Sequence, residues 1–184
     1  PAGATADVGF LLTGVRRMRQ SLTCTEGSRA VAEGTMKDPA KDDDRIEVLL
    51  TDLSSQASIR EVVAVFARDH DRLDVLVNCA SAFFRKRQVT VDGLEMTFAL
   101  NHVAYFLLTN LLLEQLRRNG AARILNVTAP ATTRIDFDDL QAERRYRPFT
   151  VFGASKTAEL MFTFELARRL EGTGVTTNAV HAGL

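Results

Sequence analysis

The chain lacks tryptophan and is poor in the residues that define several protein classes. Its 184 residues include two cysteines and three histidines, and 23 acidic side chains balance 23 basic ones. Two cysteines are too few for a disulfide framework and fit a reducing compartment. Zero net charge gives no overall attraction to nucleic acid, which we do not expect as a partner. The scattered histidines form no metal constellation, so no metal site is predicted.

The chain also lacks an apolar run long enough to cross a bilayer. Its longest uncharged apolar-rich stretches, residues 103–113 and 160–164, fall well short of the roughly 20 residues required. What the chain does contain is 46% hydrophobic and 25% charged residues. This composition predicts one globular domain with a real core over residues 1–184.

From residue 46 onward, short β-branched runs alternate with long helical patterns. This alternation is typical of a parallel sheet crossed by helices, an α/β fold. Strands are predicted at 46–50, 73–78, 123–127 and 175–180. Helices are predicted from Ser54 or Ser55 onward, over 91–118 with Gly120 after its last turn, and over 150–171.

The spacing of apolar residues predicts which side of two of these helices is buried. In the first, Ile59, Val62, Val63 and Phe66 recur at helical spacing. In the last, the predicted buried residues are Ala154, Ala158, Leu160, Met161, Phe164 and Ala167.

The first 45 residues are atypical of such a fold. Strands are predicted at 8–12 and 21–24, but only residues 15–20 lie between Gly14 and Ser21. A parallel crossover usually needs about a dozen residues or more, so a full helix does not fit there. The three consecutive aspartates at 42–44 are interpreted as a solvated loop.

Four motifs occur in order and at plausible spacing. They are Thr51-Asp52-Leu53, Asn78-Cys79-Ala80-Ser81, Asn101-His102 and Phe152-Gly153-Ala154-Ser155-Lys156. Together they resemble the short-chain dehydrogenase/reductase family, and the match covers about residues 21–184. The sequences of 73–84, 92–113, 135–140 and 155–175 are most similar to its retinol dehydrogenase branch.

The resemblance implies a Rossmann-like three-layer fold that binds NADP or NAD at the carboxyl ends of its parallel strands. We expect this fold to be incomplete at both ends, without the first crossover helix and the last strand. The implied reaction is hydride transfer between nicotinamide and the carbonyl or alcohol carbon of a small molecule. Members of the branch often sit on the endoplasmic reticulum through an amino-terminal anchor; because none is visible in this chain, a cytosolic location is expected.

The implied catalytic residues are only partly present. Members of the family use a tyrosine, a lysine four residues later, a serine and an asparagine; here Lys156 and Asn101 match, but Phe152 and Ala129 stand at the tyrosine and serine positions. A phenyl ring neither donates nor accepts a proton. Because general acid–base catalysis contributes roughly 10² to 10⁴ in rate, we expect an impaired or inactive enzyme.

The resemblance also implies a set of cofactor-binding residues, and several positions near them differ from the family pattern. The implied residues are Thr13, Gly14, Asp52, Asn78, Ala80 and Lys156. No further glycine follows Gly14 in residues 15–19, and Cys24-Thr25 replaces the Cys-Arg typical of the branch, so the choice between NADP and NAD stays open. Asp52 could instead start a helix, Lys156 could be an exposed helical lysine, and Cys79 is interpreted as a buried small apolar residue.

Two other hypotheses remain. A weakly active reductase would use Thr128 or Tyr146 in place of the missing groups. A non-catalytic interaction module would self-associate through the open sheet edge and apolar surface that an incomplete fold leaves uncovered.

Overall fold

The structure, a computed structural model, describes residues 7–13, 20–25, 47–130 and 132–181. The strands within these ranges are β1 (Asp7–Thr13), β2 (Gln20–Thr25), β3 (Glu47–Leu50), β4 (Val75–Asn78), β5 (Arg123–Thr128) and β6 (Thr176–His181). These six strands form one sheet in the order β3-β2-β1-β4-β5-β6. This order is that of the doubly wound dinucleotide-binding fold, which confirms the predicted Rossmann-like α/β class.

Strand direction departs from the prediction at β1. The pairs β2–β3, β4–β5 and β5–β6 are parallel, whereas β1 is antiparallel to both β2 and β4. Only residues 14–19 connect β1 to β2, which is too short for the helical crossover that parallel neighbours need. The expectation of a wholly parallel sheet is therefore corrected at this strand.

The helices follow the predicted positions closely. They are α1 (Gln56–Asp69), α2 (Met96–Phe98), α3 (Ala104–Leu111), α4 (Leu113–Asn119) and α5 (Pro148–Arg169), with a π-helical turn at Ala99–Val103. Ser55 caps α1 by accepting a hydrogen bond from the Ser58 N–H at 3.3 Å, and the buried residues of α1 are the four predicted ones. None of the helices in the described ranges is both long and apolar enough to span a membrane.

The long helical segment predicted over 91–118 begins later and is not continuous. Its start is set by Glu95, whose carboxylate accepts the N–H groups of Thr97 and Phe98. The π turn follows α2 directly, and Leu112 separates α3 from α4. Gly120 ends the segment with φ 72°, the left-handed conformation that glycine adopts without strain.

The described helices cover one face of the sheet. Helix α1 packs against α3, and α5 packs against the π turn, β5 and β6. Leu76 and Ile124 are fully buried on the covered face, while Val75 and Val77 alternate with them and are half-buried. A second helical layer, which the three-layer prediction requires, is not among the described residues.

Helix α5 buries a different face from the one predicted. Met161 and Phe164 are 50% and 68% exposed, and of the six residues predicted to be buried only Ala158 is. The buried residues of α5 are Val151, Ser155, Lys156, Ala158, Glu159, Thr163 and Leu166. The prediction was wrong because it set the phase of the helix from apolar residues alone, whereas this face carries polar groups that find partners in the core.

The corrected buried face of α5 predicts a large loss of stability for one substitution and almost none for a substitution two residues away. Leu166→Ala removes a side chain that is 5% exposed, and we expect a loss of about 2–5 kcal/mol in the free energy of unfolding. Phe164→Ala, on the exposed face, should change it by no more than about 0.5 kcal/mol. Chemical denaturation followed by circular dichroism measures both free energies of unfolding. A larger loss in Phe164→Ala than in Leu166→Ala would support the buried face predicted from the sequence and contradict the one in the structure.

Candidate functional site

Asn101 joins three segments at the carboxyl end of the sheet. Its side chain is fully buried in the π turn; Oδ1 accepts the Ala82 N–H at 2.7 Å, and Nδ2 donates to Ala82 O at 3.1 Å and to Ser155 Oγ at 3.0 Å. Ser155 in turn donates to Phe152 O at 2.7 Å. The loop after β4, the π turn and the start of α5 are thereby held together. Short π-helical turns are frequent at functional sites.

Lys156 lies in the same region and is buried, which excludes the alternative of an ordinary exposed lysine. Its Nζ donates to Glu159 Oε2 at 2.9 Å, and the two side chains are 3% and 1% exposed. The ammonium also lies 5.9 Å from the ring centroids of both Phe152 and Tyr105. The lysine and the ring at the family's tyrosine position are therefore neighbours.

Glu159 and Tyr105 are site residues that the sequence analysis missed. A signal for Glu159 was present, since Lys156 and Glu159 stand three apart on a helix, where side chains meet. Tyr105 donates its hydroxyl to Ala80 O at 2.6 Å and is fully buried. It offered no signal beyond helical spacing, because its partner is the backbone of a distant loop.

Burial controls the electrostatics of this cluster. It raises the pKa of Glu159 from 4.5 to about 7, against the opposing effect of the Lys156 charge and hydrogen bond. Burial likewise raises the pKa of Tyr105 well above its ordinary value, and the negative charge of Glu159 adds to this. Among the described residues, Glu159 Oε1 has no hydrogen-bond partner.

Asn78, predicted to contact the cofactor, lies beneath the helices in a ladder of polar side chains. It is fully buried, and its Nδ2 donates to Thr109 Oγ1 at 3.0 Å and to Asn126 Oδ1 at 2.8 Å. Asn126 donates to Thr163 Oγ1 at 2.9 Å. This ladder ties β4 and β5 to α3 and α5 and engages the Asn78 amide nitrogen, while the buried Asn78 Oδ1 has no hydrogen-bond partner among the described residues.

The remaining predicted cofactor residues do not come together. Thr13 pairs with Val75, at the amino end of β4, while Asn78 lies at the carboxyl end of that strand. Ala80 is 1% exposed. Gly14 lies outside the described residues, as do residues 15–19 and the aspartates at 42–44.

Asp52 is exposed at the carboxyl end of β3. Its Oδ1 accepts the Ser54 N–H and hydroxyl at 2.8 and 2.7 Å, forming a turn that leads into α1. The helix cap itself is Ser55. Cys79 is also exposed, which corrects the expectation that it is buried.

These positions do not fit a bound nicotinamide dinucleotide. The lysine that would hold the nicotinamide half already has a buried carboxylate partner, and Thr13 lies beside the opposite end of β4 from Asn78. Among the predicted cofactor residues whose side chains are described, only Asp52 is exposed.

The two substitutes considered for the missing catalytic groups are engaged elsewhere. Thr128 donates to Ala129 O at 3.4 Å, and Tyr146 donates to Phe84 O at 2.8 Å. Partial burial raises the pKa of Tyr146 above its ordinary value, which disfavours its ionisation.

Gly153 allows the loop after β5 to approach α5 at the position next to Phe152. A Cβ at Gly153 would collide with the Thr133 side chain. Thr157 then fastens the loop by donating to Thr133 O at 2.7 Å. Glycine at this position is explained by the close approach of the two segments.

A sheet with this strand order defines an α/β protein with the doubly wound, Rossmann-like fold. A sequence model of the family described as short chain dehydrogenase matches residues 18–184. The chain therefore belongs to the short-chain dehydrogenase/reductase family.

Its relatives place it in the retinol dehydrogenase-like branch. It is 44% identical to human retinol dehydrogenase 13 over 136 residues, 72% of this chain and 41% of that protein. It is 41% identical to mouse retinol dehydrogenase 14 over 170 residues, 91% of this chain and 48% of that protein. The chain thus spans less than half the length of either relative.

Solved structures agree on the fold. The crystal structure of NADPH-bound carbonyl reductase from chicken fatty liver matches with a TM-score of 0.66 at 20% identity, over 91% of this chain and 68% of that one. At this identity the likeness concerns the fold alone.

The raised pKa of Glu159 predicts a specific pH dependence of stability. Since the folded-state pKa lies above the ordinary 4.5, the contribution of Glu159 to stability is fully present below pH 4.5 and is lost as the pH rises to about 7. We expect the free energy of unfolding to fall by about 1–3 kcal/mol more across this window in the parent than in Glu159→Gln.

Urea denaturation at a series of pH values measures this difference. Glu165→Gln is the matched control on the same helix: the Arg168 and Arg169 hydrogen bonds hold the pKa of Glu165 at about 2, so it stays ionised throughout the window. Parallel curves for the parent and Glu159→Gln would contradict the assignment.

Proposed function

We propose that the chain is an oxidoreductase domain of the retinol dehydrogenase type whose catalytic step is impaired. The observation that carries the proposal is the Phe152 ring, 5.9 Å from the Lys156 ammonium. The ring occupies the place of the family's acid–base group and has no oxygen with which to move a proton. Ala129 removes the second oxygen that the family uses.

The proposed catalytic positions are Asn101 and Lys156, with Phe152 and Ala129 at the vacant tyrosine and serine roles. The hydrogen bonds of Asn101 to Ala82 and Ser155 support a positioning role at the start of α5. By analogy with its relatives, the substrate class is a small carbonyl or alcohol, retinoids included. A weakly active reductase that uses Thr128 or Tyr146 is not favoured by any contact of those residues.

For the cofactor, we propose that NADP or NAD binds weakly if at all. The support is the buried partner of Lys156 and the separation of Thr13 from Asn78. In the family the residue at the position of Asp52 contacts the adenine of the dinucleotide, and we propose that Asp52 can still do so because it is exposed where β3 ends. The cytosolic location and the single domain over 1–184 stay predictions of the sequence.

The proposal predicts no turnover by the purified chain. With NADPH and all-trans-retinal, the oxidation of NADPH, followed by its own fluorescence, should not exceed the protein-free rate measurably, because acid–base catalysis worth roughly 10² to 10⁴ and an oxyanion donor worth roughly a further 10² to 10³ are both missing. The absence of tryptophan keeps the protein background low. Titration of the protein with NADPH and NADH in the same instrument measures binding separately.

Turnover that disappears in Lys156→Ala would overturn the proposal and favour a working reductase. Arg169→Ala, which removes an exposed cation from the same helix, is the control and should leave any such rate unchanged.

A second candidate function, self-association, is favoured by exposed apolar side chains on α3 and α5. Phe106, Met161 and Phe164 are 49%, 50% and 68% exposed, and the rings of Phe106 and Phe162 lie 5.4 Å apart, which links the two helices at this surface. Apolar patches of this kind commonly mark contacts with other proteins.

Sedimentation velocity over a wide concentration range tests this candidate. We expect concentration-dependent association in the parent, and a shift to monomer in Met161→Glu/Phe164→Glu, because burying the new carboxylates would be costly. A parent that stays monomeric at every concentration would refute self-association.

A further inference from the structure

We infer that Glu159 is a positioning residue that cancels the charge of Lys156, so that this lysine cannot promote ionisation of a hydroxyl on the ring at position 152. The inference rests on the proposed function, since it concerns the same oxidoreductase site. It makes Glu159 a third feature of this chain, beside Phe152 and Ala129, that disfavours catalysis.

The geometry of the pair supports a closed, one-to-one interaction. Residues 156 and 159 lie on the same buried side of α5, and their charged atoms are 2.9 Å apart. With side chains 3% and 1% exposed, the pair is little screened by water. Oε1 of Glu159 has no hydrogen-bond partner among the described residues, so none of them draws the carboxylate away from Lys156.

The groups facing the pair from other elements do not replace either charge. Tyr105, from α3, presents its ring to Lys156, and its hydroxyl donates a hydrogen bond to Ala80 O. The raised pKa of Tyr105 keeps its hydroxyl neutral, and the charge of Cys79, which follows β4, contributes to raising that pKa. His102, in the π turn, packs against the rings of Phe98, Phe106 and Phe162, and burial lowers its pKa to about 4, which leaves it uncharged near neutral pH.

The consequence for position 152 follows from electrostatics. A lone cation about 4–6 Å from an acid lowers the pKa of that acid by about one to three units. When a carboxylate lies beside the cation, the acid experiences a dipole in place of a full charge, so the lowering of its pKa is largely lost. Restoring the tyrosine alone therefore restores the hydroxyl without restoring its activation.

The test measures the pKa of the phenol introduced by Phe152→Tyr, from the near-ultraviolet absorbance of tyrosinate. The chain has no tryptophan and two tyrosines, Tyr105 and Tyr146, both with raised pKa values, so a phenol of lowered pKa ionises first. Difference spectra against the parent isolate the new group. Three proteins are compared: Phe152→Tyr, Phe152→Tyr/Glu159→Gln and the control Phe152→Tyr/Glu165→Gln.

We expect the phenol in Phe152→Tyr and in the Glu165 control to titrate at or above the ordinary value for tyrosine. In Phe152→Tyr/Glu159→Gln its pKa should be lower by about one unit or more. Equal values in all three folded proteins would overturn the inference, because Glu159 would then have no influence through Lys156.

A second variant covers the case in which Glu159→Gln leaves the lysine buried without a partner and the protein fails to fold. Phe152→Tyr/Lys156→Met/Glu159→Gln removes both charges, a replacement that buried ion pairs often tolerate. If Lys156 and Glu159 cancel each other's charge, the phenol of this triple variant should have a pKa within about half a unit of that in Phe152→Tyr. A difference of more than about one unit would overturn the inference.

These readouts need neither cofactor nor turnover, so they separate the inference from the proposed function. Activity of the parent would refute the proposed function alone. Unchanged phenol ionisation would refute the role of Glu159 alone.

Discussion

A polar group removed from water must find a partner inside the protein, and this requirement organises the carboxyl end of the sheet. The Asn101 amide meets it by bonding the Ala82 backbone and the Ser155 hydroxyl, which joins the loop after β4 to α5 through the π turn. The Asn78–Asn126 ladder meets it one layer deeper.

This requirement explains how site residues persist in a chain that lacks the acid–base oxygen. Asn101 and Ser155 are needed to pair buried groups whether or not a reaction occurs, and loss of one partner would leave the others unsatisfied at a cost of about 1–3 kcal/mol each. Lys156 is retained on the same terms, as half of a buried ion pair with Glu159. Residues that match a catalytic motif therefore indicate ancestry and packing more directly than they indicate activity.

The reversed direction of β1 affects the part of the sheet where the family binds its dinucleotide. In open α/β sheets, ligands bind outside the carboxyl ends of the strands, where the direction of chain winding changes. Here that place lies between β1 and β4, and the antiparallel β1 brings Thr13 beside Val75 in place of Asn78. The short connection between β1 and β2 thus alters the part of the sheet where the family binds its dinucleotide.

The amino-acid sequence alone was enough to predict the α/β class, the order of strands and helices, a serine cap at position 54 or 55, the buried face of α1 and the family; the structure chose Ser55. These follow from local periodicity, capping and motif spacing, which require no knowledge of distant contacts. Only the tertiary structure decided the direction of β1, the buried face of α5, the burial of Asn78 and the partnership of Lys156 with Glu159. The last three depend on which polar groups meet across the core, and hydrophobic periodicity carries no information about that choice because it counts a polar residue as exposed. The direction of β1 follows instead from the short connection formed by residues 14–19.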